Sequence, residues 1–315
     1  MRKRVNYASK VCLVSTLQAP LRDTIMFVNY HLNVGIHHLL LFFDNPDDPA
    51  IAGLTANPNV TCIRCDAAHW MGVGLEARSA AIEDKQIANA NFGLHWARNG
   101  AYDWIIHIDS DELIYSKREI GEALASLPDS VDVIQFQLRE AVPDSLVYDD
   151  VFEQVRLFRV PPSKTQALLA KLLGCGAAFF GGQYIRGHTA SKSAVRTSTE
   201  LAGMNIHQPS AKDGAALRSV KSKEIRLLHF DCCGLDCWKT KWRGRLDGTV
   251  RVTKMKQHRA QQMRDFARFA NNDDDLLQLY KRLYFIPQFE RCVLAMLGLL
   301  VKVSLNHELF EHSSK

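Results

Sequence analysis

The chain has 315 residues and a formal net charge of +5, with 47% hydrophobic and 23% charged residues. These fractions are ordinary for a soluble globular protein, and the length suits one large α/β domain or a domain plus an extension. No stretch reaches the roughly eighteen apolar residues of a membrane-spanning helix, and the basic start at 1–4 precedes no signal-peptide apolar segment. We therefore expect a cytoplasmic protein, with peripheral contact at the inner face of a membrane left open.

Charge is distributed unevenly along the chain. Residues 1–150 hold 12 Lys and Arg against 20 Asp and Glu, whereas the remainder holds 27 against 14. The basic half is a candidate surface for an anionic acceptor, lipid headgroups or nucleic acid, and a solvated basic face is the simpler alternative.

The eight cysteines do not indicate a disulfide scaffold in a chain of this length. Cys62 and Cys65 have zinc-like spacing, but they lie in a predicted strand, where positions three apart point to opposite faces. We expect buried, reduced thiols.

Predicted strands and helices alternate over the first 110 residues. Apolar runs predict strands at 11–15, 38–43, 60–65 and 104–108, and helical spacing predicts helices at 21–34 and 74–98. This alternation predicts an α/β fold with a doubly wound, mostly parallel sheet. Neither the glycine-rich dinucleotide fingerprint nor a P-loop is present.

The rest of the chain is less regular. A helix at 117–126 and strands at 131–138 and 152–160 precede a polar stretch, 186–226, that we expect to be a mobile loop region. A strand at 225–230 follows. The spacing then predicts helices at 238–245, 255–270, 274–284 and 287–303.

The stretch Trp104 to Leu113 carries the clearest functional signal. Its apolar strand ends in Asp109, Ser110, Asp111 and Glu112. The carboxyl ends of strands are where open α/β sheets bind ligands, and two carboxylates in this spacing can hold one hard divalent cation together with phosphate oxygens. Asp44, which ends an earlier strand, is placed for a ribose or base. The alternative is a solvated acidic turn.

These residues resemble the GT-A glycosyltransferases, near the family-2-like and DUF23-type group. The resemblance rests on residues 10–115 and is weaker in later segments. The matching pieces are Tyr30-His31 with Gly35, Asp44-Asn45, Lys85-Gln86 with Asn91, Trp104 to Glu112, Arg186-Gly187-His188 with Lys192, Asn205-Ile206-His207, and His229-Phe230 with Lys239, Lys241 and Gly244.

The resemblance implies a donor site for a nucleotide-sugar, with UDP-sugar as the first expectation. Asp109 and Asp111 would hold Mn²⁺ or Mg²⁺, and His229 would complete the metal ligands, with His207 as second choice. The implied donor-binding residues are Thr16, Asp44, Gln86, Asp109 and Lys192. Leu17-Gln18-Ala19 and Pro46 depart from the family pattern and leave the nucleotide open.

Sugar transfer with inversion needs a carboxylate to take the acceptor's hydroxyl proton. The catalytic candidates are Asp111 with Glu140 and Asp231, both at predicted strand ends. The acceptor would be a glycan or lipid-linked molecule, such as a cell-surface polysaccharide or lipopolysaccharide precursor. The expected domains are a GT-A domain at 1–235, with a nucleotide and metal half at 1–115 and an acceptor half at 116–235, and a helical basic extension at 236–315.

The extension combines basic residues at 243–259 with a predicted apolar helix at 289–303, a pattern that suits docking on an anionic membrane. Packing of that helix on the domain is the alternative. Other classes stay open: a metal-dependent phosphohydrolase, a nucleic-acid-binding protein, which the acidic half and the lack of interleaved aromatics disfavour, and a catalytically silent GT-A-like binding protein.

Overall fold

A computed structural model describes residues 8–76, 81–253 and 255–311. The chain divides into two compact units made of interleaved segments. The first unit comprises 1–137, 190–227 and 307–315, and the second comprises 138–189 and 228–306. The predicted domain boundary at residue 235 falls inside the second unit, and the functional division of the chain at that point stays a prediction.

The strands are β1 Val11–Leu17, β2 His38–Phe43, β3 Val60–Arg64, β4 Trp104–His107, β5 Glu112–Tyr115, β6 Val133–Ala141, β7 Leu157–Arg159, β8 Ser193–Arg196, β9 Leu201–Gly203, β10 Ser210–Ala211, β11 Ser219–His229 and β12 Leu300–Lys302. The α-helices are α1 Leu21–Asn33, α2 Ala50–Leu54, α3 Ala67–Gly72, α4 Ile82–Asn99, α5 Ile120–Ala125, α6 Val151–Gln154, α7 Lys164–Leu172, α8 Leu235–Leu246, α9 Gln257–Phe269, α10 Asp273–Tyr284 and α11 Gln288–Met296. Short 3₁₀ turns lie at Lys212–Gly214 and His307–Phe310.

The core of the first unit is a parallel sheet in the order β3-β2-β1-β4. Every residue of β2 and β4 is buried, which explains their unbroken apolar sequences, because parallel strands are covered on both faces. On the far side of β4 the sheet continues with antiparallel β8 and β6. The predicted α/β class with a parallel sheet is confirmed, and the order begins like that of doubly wound folds.

Helix α4 packs against β1 and β4 through Ala90, Gly93, Leu94 and Ala97. Its start at Ile82 shortens the helix predicted at 74–98, of which 77–80 lie outside the described residues. A separate short helix, α3, precedes it and is capped by Asp66, whose carboxylate accepts from the His69 N–H at 2.9 Å. Asp66 is a favoured N-cap residue type that the sequence analysis did not use.

The mobile loop predicted at 186–226 is wrong. This stretch contains β8, β9, β10 and most of β11, and β11 pairs with β5 and β6. Residues 219–221 at its start are exposed, so the first part of the strand lacks hydrophobic alternation and its sequence resembles a loop. Main-chain hydrogen bonding decides this strand.

Two predictions in the second unit are also corrected. The stretch predicted as a strand at 152–160 begins instead with the helix α6, and only its part β7 is a strand. Asp150 caps α6, with its carboxylate accepting from the Glu153 N–H at 3.0 Å. The helix predicted at 287–303 ends at Met296. Gly298, with a positive φ of 68°, turns the chain into β12, which pairs antiparallel with β7.

The helices α8, α9 and α10 of the second unit confirm the helical prediction and enclose their own core. Its buried members include Trp238, Trp242, Phe266, Tyr280 and Leu283. Over the described ranges, no helix is long and apolar enough to cross a membrane.

Candidate active site

Three predicted donor-site residues follow the parallel strands of the first unit. Thr16 lies near the end of β1, Asp44 directly after β2 and Asp109 just after β4. The parallel registers pair Thr16 with Phe42 and Val14 with His107. Because parallel strands end at one edge of a sheet, these side chains share the carboxyl edge where α/β sheets bind ligands.

The acidic turn, residues 109–112, is closed by two reciprocal hydrogen bonds. The Asp109 N–H donates to Glu112 Oε2 at 2.9 Å, and the Glu112 N–H donates to the Asp109 carbonyl at 3.1 Å. Glu112 is fully buried, whereas Asp109 and Asp111 are partly exposed. Glu112 therefore shapes the turn, and Asp109 and Asp111 are the residues that a ligand can reach.

Lys192 is completely buried beside this turn. Its Nζ lies 3.0 Å from Asp109 Oδ1 and 3.8 Å from Glu112 Oε2. Burial alone would lower the pKa of Lys192, but the negative charges of Asp109, Glu112 and Asp111 outweigh it, so the pKa is raised. Lys192 is therefore an ammonium ion at neutral pH. The antiparallel pairing of β8 with β4 brings it there.

Helix α4 connects the three strand ends through one face. Lys85 Nζ lies 2.8 Å from Asp44 Oδ1, and Gln86 Nε2 donates to Asp109 Oδ1 at 2.8 Å. Asn89 Nδ2 donates to Thr16 Oγ1 at 2.9 Å. Sequence reasoning missed Asn89. Its sequence signal was its distance of four residues from Lys85, because residues four apart lie on the same face of a helix.

The carboxylates of the acidic turn suit a hard divalent cation. Three carboxylates within four residues lie close enough to Lys192 to raise its pKa, and a divalent cation would offset such a concentration of negative charge. Carboxylate oxygens are the ligands that Mg²⁺ and Mn²⁺ prefer. The residues fit the predicted metal, with Asp109 already accepting hydrogen bonds from Gln86 and Lys192.

Tyr30 and His31, singled out by the resemblance, position β5. Tyr30 Oη donates to the Ile114 carbonyl at 3.0 Å, and His31 Nε2 accepts from the Ile114 N–H at 3.3 Å. Burial lowers the pKa of His31 to about 3, against a smaller raising effect from the Phe27 carbonyl. A neutral ring whose Nδ1–H donates to Phe27 leaves Nε2 as the acceptor that Ile114 needs. Both residues hold the backbone of β5, the strand that begins at the last residue of the acidic turn.

Asn91 also has a positioning role. Its Nδ2 donates to the Met204 carbonyl at 3.0 Å, and its Oδ1 accepts from the Met204 N–H at 2.8 Å. The side chain thereby holds the segment just before His207, whose carbonyl accepts from Ser193 Oγ at 3.2 Å.

The second unit contains a buried cluster around Gly187. A Cβ atom on Gly187 would lie 2.9 Å from His229 Cε1, 3.2 Å from Glu140 Oε1 and 3.3 Å from Asp231 Oδ2. Three predicted residues from two distant parts of the sequence therefore converge here. Only a glycine lets the chain pass so close to all three. We call Glu140, Gly187, His229 and Asp231 the Gly187 cluster.

Glu140 is held by several donors at once. Its Oε1 accepts from the Gly187 N–H at 2.6 Å, and both oxygens lie 2.9 Å from the backbone nitrogen of Arg186. Arg159 Nη1 adds a contact to Oε2 at 3.3 Å. These bonds bind the Arg186-Gly187 segment to β6, which gives Glu140 a positioning role in the structure.

Asp231 forms two ion pairs. Lys241 Nζ lies 2.7 Å from Oδ1, and Arg259 Nη1 lies 2.9 Å from Oδ2. Burial would raise the pKa of Asp231, but Arg259 and then Lys241 and His229 outweigh it, so the pKa lies well below its usual range. The carboxylate is ionised at neutral pH. His229 lies beside it, with its ring centroid 4.5 Å from that of His188.

The structure thus groups the predicted residues within each unit. Thr16, Asp44, Gln86, Asp109 and Lys192 form the donor-side set of the first unit, with Asp111 in the acidic turn. Glu140, His229 and Asp231 meet in the second. Their functional roles stay predictions. A cavity of about 710 Å³ in the second unit, lined by residues that include Phe179 and Phe180, contains none of them.

The cysteines give no support to a zinc site at Cys62 and Cys65. Burial raises the pKa of Cys65 to about 12 and also raises the pKa of Cys62. Zinc ligands are thiolates, so these shifts favour the protonated thiol. The two residues do not form a disulfide.

No family model matches the chain. In sequence it is similar to two glycosyltransferase-like proteins of Arabidopsis thaliana, at 25% and 24% identity over 184 residues. The match covers 48% of this chain and 38% and 33% of the two relatives. The chain therefore spans about a third of the length of these relatives.

Among solved structures, the chain is similar to a fragment of S. aureus TarS, at 10% identity and a TM-score of 0.36, covering 87% of this chain and 81% of that one. A complex of that fragment with UDP gives 11% identity, a TM-score of 0.36, and coverage of 84% and 73%. The sequence relatives are described as glycosyltransferase-like, and this chain is similar to them.

Proposed function

We propose that the protein is a metal-dependent glycosyltransferase that moves a sugar from a nucleotide-sugar to a glycan or lipid-linked acceptor. A UDP-sugar is the donor that we propose first. One observation carries the proposal: helix α4 connects Thr16, Asp44 and Asp109 at the carboxyl edge of a parallel sheet. The similarity to glycosyltransferase-like proteins supports it.

Each donor-side residue has a proposed role. Asp44, paired with Lys85, contacts the nucleoside, and Thr16 borders that pocket. Asp109 and Asp111 hold Mn²⁺ or Mg²⁺, with His229 proposed as a further ligand. The chemistry supplied by such a cation is neutralisation of the diphosphate leaving group. Lys192 keeps Asp109 oriented through its charged hydrogen bond.

The acceptor side needs a base that is ionised at working pH, and we propose inversion with Asp231 or Glu140 in that role. Asp231 is held ionised by Arg259 and Lys241, whose hydrogen bonds also lower its basicity. The oxygens of Glu140 likewise already accept hydrogen bonds, from the N–H groups of Arg186 and Gly187. Accepting the hydroxyl proton as the sugar leaves the diphosphate would complete the transfer.

The test is a thermal-shift panel of UDP- and GDP-sugars, each with and without Mn²⁺, on the wild type, Asp111→Asn and the control Asp213→Asn. Asp213 is exposed and has a positive φ of 52°, which Asn tolerates. Ligand at a hundred times its Kd should stabilise the wild type and Asp213→Asn by about 2.7 kcal/mol. Asp111→Asn should lose this metal-dependent gain.

Analysis of the reaction products distinguishes a glycosyltransferase from the alternative functions. Transfer of sugar to an acceptor, or slow release of free sugar and UDP, supports a glycosyltransferase. Cleavage inside the diphosphate would indicate a phosphohydrolase. Absence of any nucleotide response in the wild type would indicate a catalytically silent protein and would refute the proposal.

A further inference from the structure

Helix α7 of the second unit exposes its large apolar side chains. It begins at a capping box formed by Ser163 and Gln166, and Ala170 is its one buried residue. Leu168, Leu169, Leu172 and the adjoining Leu173 are 60%, 41%, 75% and 46% exposed. Positions i, i+1, i+4 and i+5 lie on one side of a helix. The small residue faces the protein and the leucines face outward, the reverse of an ordinary surface helix.

Phe289 of α11 extends this apolar surface. It is 66% exposed, and its Cε1 lies 3.7 Å from the position that a Cβ atom on Gly174 would occupy, directly after α7. At the other end of α7, Gln166 Nε2 donates to the Leu297 carbonyl at 3.1 Å. The two helices therefore lie side by side. We call Leu168, Leu169, Leu172, Leu173 and Phe289 the leucine face.

The helix that carries the four leucines bears positive charges and no negative ones. No Asp or Glu occurs between residues 154 and 199, and α7 itself carries Lys164 and Lys171. The Lys171 ammonium lies 5.0 Å from the centre of the Phe179 ring. Glu290 of α11 is buried, where it accepts from the Ala178 N–H at 2.8 Å. The surface thus combines protruding apolar side chains with cations, as interfacial membrane helices do.

We propose that the leucine face inserts into the headgroup boundary of an anionic phospholipid bilayer. Lysines that repel one another disfavour pairing of this face with a second copy of the chain. Five side chains also form a patch that is small compared with the roughly 1,200–2,000 Å² that stable protein interfaces bury. The proposal is independent of the glycosyltransferase activity. It differs from docking through 289–303, since the helix predicted there ends at Met296.

The experiment is co-sedimentation of the full chain with vesicles of phosphatidylcholine, alone or mixed with phosphatidylglycerol. Leu168→Gln/Leu172→Gln should weaken binding to the mixed vesicles by about tenfold or more, because two side chains no longer insert. Lys164→Gln/Lys171→Gln should weaken binding to the mixed vesicles by about tenfold and leave binding to phosphatidylcholine nearly unchanged. High salt should act on the wild type as the lysine variant does.

The control is Leu21→Gln/Met71→Gln, which removes apolar side chains that are 48% and 77% exposed in the first unit. It should bind as the wild type does. Wild-type protein that binds neither vesicle type overturns the proposal, and so does a leucine variant that binds equally well. A concentration-dependent dimer in light scattering that the leucine variant abolishes also overturns it, because the face would then be a protein interface.

Discussion

Buried charges at two positions show how the surroundings of a residue decide its role. Lys192 in the first unit and Asp231 in the second have side chains that are 0% and 1% exposed. Each is compensated by two opposite charges at short range, which burial requires. In Lys192 this keeps the ammonium charged beside the acidic turn. In Asp231 it keeps the carboxylate ionised beside His229.

Replacing Asp231 by Asn should destabilise the protein by about 3 kcal/mol at pH 7, because the buried carboxylate that offsets the partly buried charges of Arg259 and Lys241 would be lost. The pKa of Asp231 is lower in the folded protein than the roughly 3.9 of an unfolded chain. Its stabilisation is therefore present above about pH 4 and is lost as the pH falls further. Urea unfolding at pH 7 and in acid measures both effects.

The matched control is Asp236→Asn, an exposed carboxylate in the first turn of α8. It should change the free energy of unfolding by less than about 1 kcal/mol. An Asp231→Asn protein as stable as this control at pH 7 would contradict the ion-pair assignment. So would a difference from the wild type that stays constant down to the lowest pH.

At the scale of elements, α4 has two functions along one side. Its first turns carry the polar residues Lys85, Gln86 and Asn89 to the strand ends, and its later turns pack on β1. Gly93 sets the distance between helix and sheet. A Cβ atom there would lie 2.6 Å from Val14 Cγ2, so the helix approaches the strand more closely than any larger residue permits.

Gly93→Ala should therefore destabilise the protein by about 1–2 kcal/mol, although alanine is the better helix former by about 1 kcal/mol. Gly53→Ala in α2 is the control, since no atom lies within 4 Å of its added Cβ. That change should stabilise by about 0.5–1 kcal/mol. Denaturant unfolding compares the two, and equal effects of the same sign would contradict the close packing of α4 on β1.

At the scale of the whole molecule, each unit is assembled from distant parts of the sequence. Strands β6 and β11 each begin in the first unit and end in the second. Residues 307–311 return to the first unit, where Asn29 Nδ2 donates to the Phe310 carbonyl at 3.0 Å and the Tyr30 and Phe310 rings stack with centroids 5.2 Å apart. A fragment ending at residue 235 would lack this segment.

Phe310→Ala should destabilise the protein by about 3 kcal/mol, because the side chain is 6% exposed and its removal leaves a cavity against Tyr30. Phe289→Ala, at 66% exposure, is the control and should change stability by less than about 0.5 kcal/mol. Thermal unfolding of the full chain measures both. Equal midpoints for the two variants would show that the terminal segment adds nothing to the first unit.

Local sequence determined most of the parallel sheet and the site at its edge. The strand His38–Phe43 and the acidic turn were predictable, because a fully buried strand needs a continuous apolar run and polar residues follow where the run ends. The helices α8 to α10 were predictable from their 3.6-residue spacing. These features depend on neighbours in the sequence.

Tertiary structure decided what depends on distant partners. The pairing that makes Ser219 to His229 a strand, the return of the chain at Phe310 and the meeting of Glu140, Gly187 and Asp231 all join segments far apart in the chain. The burial of Lys192 and the exposure of Leu172 likewise reverse what their residue types suggest. Periodicity reports which face of an element is apolar, but only packing determines what that face meets.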